Sequence, residues 1–310
     1  MRTSLALRAR LVLIAAIAVL VGTILVPALA APKAEAQHRC PSVAVIAARG
    51  SGQNGQIHRT SYSTEAPWVS NGWEGETMRA FFRHAENRYR ATHGGVSLMK
   101  DVEVLGLEPS YYPAIYPEYD VPAVAVPSTA AQALLLALEY TVPTLRTARR
   151  AANEFSDSVR LGRIGVMQQV NDYEAATGCR PSYILTGYSQ GAMILLEHER
   201  ELSRRGQLAG VVYFGNPNTA PEDPTTVGVA GGGAGGALGF LPFNTKTAAG
   251  TPNRVNYCLP LDGVCDLSVQ TLQGSQFNGG NHGRYFLWPS EWDNQVSDEF
   301  GRFVDQVRYR

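Results

Sequence analysis

The sequence predicts an α/β protein in which a mostly parallel central sheet is covered by helices on both faces. Three observations lead there: five short apolar runs rich in β-branched residues, amphipathic stretches between them, and a composition 45% hydrophobic but only 17% charged. Strands buried on both faces read as continuous apolar runs, and the crossover helices supply their cover. Residues 42–48 (SVAVIAA) form the first such run and end in the turn Arg49-Gly50-Ser51-Gly52. Residues 73–90 carry Met78, Phe81, Phe82, Ala85 and Tyr89 at near-helical spacing, with charges between them, which predicts an amphipathic helix. Residues 102–107 are the second strand. Residues 109–143 hold six prolines and five tyrosines around an unusually apolar stretch at 130–138, which either packs beside the core or forms a lip over an apolar site. One long helix is expected over 144–177, bent at Gly162 and Gly165, then a strand at 183–187 and a helix at 192–205 closed by Gly206. Residues 211–214 and 254–257 are the fourth and fifth strands, separated by Gly215-Asn216-Pro217 and a Gly-rich stretch at 227–250. Val296, Phe300, Phe303, Val304 and Val307 mark one stripe of a final helix.

Charge and topology signals narrow the function classes. With 27 basic and 27 acidic residues and no run of like charge, the chain lacks the basic face that a nucleic-acid partner requires. Arg2, Arg8 and Arg10 precede an apolar run at 11–25, and small residues follow at Ala28, Ala30, Ala34 and Ala36. That layout predicts a secretory signal peptide over residues 1–36, with an uncleaved anchor as the alternative, and a single domain over 37–310. Cleavage after Ala36 removes four basic residues and one acidic residue, leaving 23 and 26. Cys40, Cys179, Cys258 and Cys265 all follow the signal, so export predicts two disulfides, in any of three pairings. Neither close pair has C-x2-C spacing and no histidine follows at ligand distance, so no metal is expected.

The chemistry is concentrated in Gly187-Tyr188-Ser189-Gln190-Gly191, a G-x-S-x-G motif with a predicted strand before it and a predicted helix after it. In a nucleophile elbow the serine sits on a strained strand-to-helix turn, and the flanking glycines let strand and helix approach. A serine hydroxyl needs a neighbouring base, and the base needs a carboxylate to fix its tautomer. In the chain order Ser, acid, His, only His282 among the six histidines follows both Ser189 and a suitable acid. Asp262 and Asp266 are the leading acids, with Asp223 a weaker candidate; Asp262 lies between Cys258 and Cys265 and before Gly263, where an Asp-Gly turn is also expected.

Ala48-Arg49-Gly50-Ser51, the elbow pentapeptide, and Cys258-Leu259-Pro260-Leu261-Asp262-Gly263-Val264-Cys265 followed by His282 together resemble the motifs of the cutinase family of serine esterases. The resemblance runs in order over residues 38–310, and its pattern is similar to that of secreted or anchored cutinase-like proteins of actinobacteria. It implies an α/β-hydrolase three-layer sandwich with a five-stranded, mostly parallel sheet. It implies Ser189 as nucleophile, His282 as general base and acid, and Asp262 as orienting carboxylate. Ser51 and Gln190 would form the oxyanion hole through backbone amides, with the Ser51 hydroxyl as a third donor. The implied disulfides are Cys40 with Cys179 and Cys258 with Cys265.

The expected protein is therefore an exported monomer, secreted or held at the cell envelope, that hydrolyses an acyl ester, lipid or polyester without metal or cofactor. The alternatives are an envelope acyltransferase, a phospholipase or thioesterase on long-chain lipids, and a silent binding protein on the same scaffold. Gly231, Gly233 and Gly236 fit the dinucleotide fingerprint, but neither a following helix nor an acidic partner supports it, and a flexible surface loop is expected instead. Phe240, Leu241 and Phe243 would meet a lipid surface, cover the site or join the core. Trp288 and Trp292 are read as packing anchors or pocket walls, and Tyr111, Tyr112, Tyr116 and Tyr119 as candidate groove residues.

Overall fold

A computed structural model describes residues 39–55, 57–116, 130–275 and 280–310, with the side chains of 130–148 and 151 outside the description. The chain divides into two units, Met1–Arg39 and Cys40–Arg310, and every element below belongs to the second. The predicted signal segment lies outside the described residues. Six strands, β1 (Val43–Ala48), β2 (Val102–Gly106), β3 (Ser182–Tyr188), β4 (Leu208–Phe214), β5 (Thr226–Gly228) and β6 (Arg254–Cys258), form one sheet in the order β2-β1-β3-β4-β6-β5. Every pairing is parallel.

The expected five strands are thus joined by a sixth. β5 is only three residues long and half-buried, and it pairs Thr226 with Asn256 and Gly228 with Cys258 at the sheet edge. It lies at the start of the Gly-rich stretch, where three residues are too few to carry a period-2 signal.

Alternate side chains of each strand feed two cores, as strand geometry requires. On one face, Val43, Val45, Ile184 and Val212 meet Met78, Phe81 and Phe82 of α1 (Gly75–Thr92) and Phe300 and Phe303 of the last helix, α7 (Asp293–Arg308). On the other, Ala44, Ile46, Leu185 and Val211 meet Val159, Val166 and Val170 of α2 (Ala130–Thr177) and Ile194 and Leu195 of α3 (Gln190–Leu196). Three short helices complete the unit: α4 (Glu199–Arg204), α5 (Thr245–Ala248) and α6 (Val269–Ser275).

Two helix expectations need correction. The long helix starts at Ala130, not at 144, so it includes the apolar stretch 130–138, whose side-chain surroundings lie outside the described residues. It is continuous through Gly165, where the glycine serves close approach: a Cβ there would lie 2.0 Å from the Tyr111 carbonyl oxygen. The helix expected over 192–205 is two helices, because the chain turns at Glu197 and His198, with His198 N donating to Leu195 O at 3.0 Å. Among the described residues no helix is long and apolar enough to cross a membrane.

Both disulfides have the pairing that the resemblance implies. Cys40–Cys179 ties the residues before β1 to those after α2 across 139 residues, while Cys258–Cys265 closes a separation of 7. Loop-closure entropy grows with the logarithm of loop length, so the long bridge restricts the unfolded chain more. Replacing Cys40 and Cys179 together by alanine is expected to cost about 4–5 kcal/mol in denaturant unfolding, against about 2–3 kcal/mol for the Cys258 and Cys265 pair.

The carboxyl ends of β1, β3, β4 and β6 lie side by side. Open parallel sheets present their sites at that edge, and the loops leaving it carry Ser51, Ser189, Gly215 and Asp262.

Candidate active site

Ser189 is the junction between β3 and α3, with φ 54° and ψ −120°. A side-chain-bearing residue adopts this region only when its surroundings impose it. Here Ser189 N donates to Phe214 O of β4 at 2.9 Å, while Ala192 N and Met193 N donate to Ser189 O. The glycines of the motif have a steric cause. A Cβ on Gly187 would lie 2.7 Å from Ala192 Cα, and one on Gly191 would lie 2.0 Å from Ala48 O of β1. Any larger residue would push α3 off the sheet.

His282 Nε2 lies 2.9 Å from Ser189 Oγ, and its Nδ1 lies 2.9 and 3.0 Å from the two oxygens of Asp262. With the Nδ1 proton donated to Asp262, Nε2 is left to accept from the Ser189 hydroxyl. Asp262 is fully buried and also accepts from Val264 N at 2.9 Å and from the Tyr285 hydroxyl. Of the three acids, Asp262 is the one whose carboxylate contacts His282. Asp266 is engaged by Ala234 N, Ser268 and Thr271, and Asp223 by Thr225, Thr245 and Asn256.

Ser51 and Gln190, the expected oxyanion pair, both line the same cavity as Ser189 and His282. Their loops are braced from below. Arg49, fully buried, donates to Leu107 O, to Tyr112 O at 3.0 Å and to Asn54 Oδ1 at 2.7 Å, and its guanidinium lies over the Trp73 and Tyr112 rings. Burial pulls its pKa down to about 10, still well above neutrality. The Tyr112 hydroxyl lies 2.8 Å from Gln190 Oε1 and 3.1 Å from Arg49 O, linking the loop after β1 to the first turn of α3. Ser158 of α2 donates to the same Gln190 oxygen at 3.0 Å.

The cavity has a volume of about 600 Å³. Ser51, Ser189, Gln190 and His282 supply polar groups to it, and its wall is otherwise mainly apolar, with Phe155, Met193, Pro217, Ala237, Leu238 and Val264.

No protein-family model matches the chain, and no curated protein matches it. Among solved structures, an acetylxylan esterase is 15% identical, with 86% of this chain and 100% of that chain covered and a TM-score of 0.47. A cutinase-like protein from Cryptococcus sp. is 17% identical, covering 86% of this chain and 95% of that one, with a TM-score of 0.46. The Trichoderma reesei cutinase in complex with a phosphonate inhibitor is 17% identical, at 86% and 78% coverage and a TM-score of 0.38. At these values no residue role transfers from them.

Several residues of the site carried no sequence signal of their own. Gly215 has φ 53°, and a Cβ there would lie 2.7 Å from the His282 ring and 2.9 Å from Asp262 Oδ2, so its bare backbone forms the floor under the pair. Tyr188 holds the histidine loop through its hydroxyl, 2.8 Å from His282 O, with its ring centroid 5.0 Å from the imidazole. Only their motif positions, inside the elbow and at the end of the fourth strand, pointed to them.

Of the expected groove tyrosines, Tyr116 lines the cavity, Tyr112 is buried beneath it, Tyr111 donates to Asp172 at 2.8 Å, and Tyr119 lies outside the described residues. The Gly-rich stretch is a packed loop, not a free one: Gly236, Ala237 and Leu238 donate through their amides to Thr219, Val264 and Pro217 at 2.7–2.9 Å. Phe240, Leu241 and Phe243 are exposed, so core packing does not hold for them. Trp292 packs against the core, whereas Trp288 is exposed with Arg284 over its ring, and neither is among the cavity's lining residues.

Proposed function

We propose that the protein is a serine carboxylic-ester hydrolase acting on acyl esters, with Ser189 as nucleophile, His282 as base and acid, and Asp262 as orienting carboxylate. The observation that carries this reading is the unbroken chain of contacts from Ser189 Oγ to His282 to buried Asp262, at 2.9 Å each, on a strained turn that opens into an apolar cavity.

In the first half-reaction the Ser189 hydroxyl attacks the ester carbonyl and its proton passes to His282 Nε2. Asp262 stabilises the resulting imidazolium without taking the proton itself. The carbonyl oxygen becomes an oxyanion facing the Ser51 and Gln190 amides, where one preorganised donor is worth on the order of 3 kcal/mol. Collapse expels the alcohol, protonated by His282, and leaves an acyl-serine. Water then attacks with His282 as base, and the acid leaves as Ser189 regains its proton. The two disulfides fit an exported protein, in which the envelope or the medium would supply the substrate.

The apolar wall supports an acyl chain over a polar acid portion. Each buried methylene contributes about 0.8 kcal/mol, roughly fourfold in affinity. In a series of 4-nitrophenyl esters, kcat/KM is expected to rise by up to about two orders of magnitude from acetyl to hexanoyl, about fourfold for each added methylene, and to level off once the cavity is full. No hydrolysis at any chain length would overturn the proposed activity.

A further inference from the structure

Tyr285 stands three residues after His282, and nothing in the reaction just described requires it. It is fully buried, and its hydroxyl has two defined partners. Leu259 N donates to the Tyr285 oxygen at 3.1 Å, and the hydroxyl in turn donates to Asp262 Oδ2. The nearby Cys265 sulfur, 3.5 Å away, belongs to a disulfide and has no proton to give. The backbone amide thus occupies a lone pair and the hydroxyl proton has one acceptor, the carboxylate. Asp262 is left with three donors, His282 Nδ1, Val264 N and Tyr285.

From this geometry we infer that Tyr285 is a positioning residue that sets the basicity of His282 through Asp262; the inference rests on the proposed roles of Ser189, His282 and Asp262. A hydrogen bond to a carboxylate stabilises its charge and draws electron density from the oxygen that faces the imidazole. Without that bond Asp262 holds the imidazolium more strongly, and His282 stays protonated to higher pH. Burial and the Asp262 charge hold the Tyr285 phenol far above its ordinary range, so it remains a neutral donor throughout the working pH. Among the described residues, two further tyrosines pack near this pair. Tyr188 of β3 has its ring centroid 6.0 Å from that of Tyr285, and Tyr257 of β6 lies at 5.1 Å with its hydroxyl donated to Asp293. Burial is the main cause that raises both, so neither titrates near neutrality. Glu76 acts on Tyr188 from α1.

The test is the acid limb of kcat/KM against pH, which reports the free enzyme's base. For Tyr285→Phe in the full chain, the limb is expected to move up by about half to one pH unit, with a loss of roughly three- to tenfold below it and little loss above it. Site-specific 3-fluorotyrosine at 285 keeps the shape but gives a stronger donor, and its limb is expected to move down. A uniform loss at all pH with an unmoved limb in both variants would assign Tyr285 a merely structural role and overturn the inference. If the wild-type protein hydrolyses no ester, the triad reading itself fails, and the inference with it.

Discussion

Ser189→Ala is expected to lower kcat for ester hydrolysis by up to about 10⁶ while leaving the fold intact. The magnitude follows from what remains. The Ser51 and Gln190 amides, the apolar cavity and the His282–Asp262 pair all persist, but no atom is left to form the acyl-enzyme. Residual catalysis over water of about 10³–10⁴ is expected from binding and the oxyanion donors alone. Stability should change little. Ser189 anchors the turn through its backbone, with N bonded to Phe214 O and O accepting from Ala192 N and Met193 N, and alanine keeps all of these. Steady-state kinetics beside a thermal melt separates loss of chemistry from loss of fold.

Asp262→Asn is expected to cost roughly 10⁴ in kcat. The carboxylate accepts from His282 Nδ1, Val264 N and Tyr285 OH, and an amide offers a single acceptor oxygen in its place. Its NH₂ group opposes Val264 N if it replaces Oδ1 and the Tyr285 hydroxyl if it replaces Oδ2, and in both orientations it lies within hydrogen-bond reach of His282 Nδ1. Where the NH₂ donates to Nδ1, the ring must carry its proton on Nε2, and the base is then a donor toward Ser189. Leaving a buried donor unpaired costs about 1–3 kcal/mol, so this variant is also expected to melt earlier, unlike Ser189→Ala. The same substitution at Asp266, whose partners are Ala234, Ser268 and Thr271, is expected to leave kcat within about threefold, its effect falling on stability. Comparing the two variants in one kinetic assay checks the choice of acid.

Much of this was legible in the residue order because the physics is local. Short, largely apolar runs located five of the six strands described, and the Ser-acid-His order picked His282 without any knowledge of distance. The Gly-rich stretch was not legible. Glycine there reads as freedom, yet the amides of Gly236, Ala237 and Leu238 are spent on Thr219, Val264 and Pro217, and Ala237 and Leu238 form cavity wall. The break between α3 and α4 was hidden because residues 192–205 keep a helical pattern across it. Residue spacing could not decide between Asp262 and Asp266, four positions apart, because both follow β6 and only the path of the loop determines which carboxylate meets His282. Tyr285, Gly215 and the Arg49–Tyr112 brace depend on contacts between segments distant in sequence, which no local pattern encodes.

The nucleophile can be tested without assuming any substrate. Incubation of the folded, disulfide-intact protein with a fluorophosphonate, followed by peptide mass spectrometry, should find one phosphonyl group per chain, on Ser189, and none in Ser189→Ala. Label on a different serine, or no label on a protein that hydrolyses esters, would contradict the assignment of Ser189, His282 and Asp262 as the reacting unit.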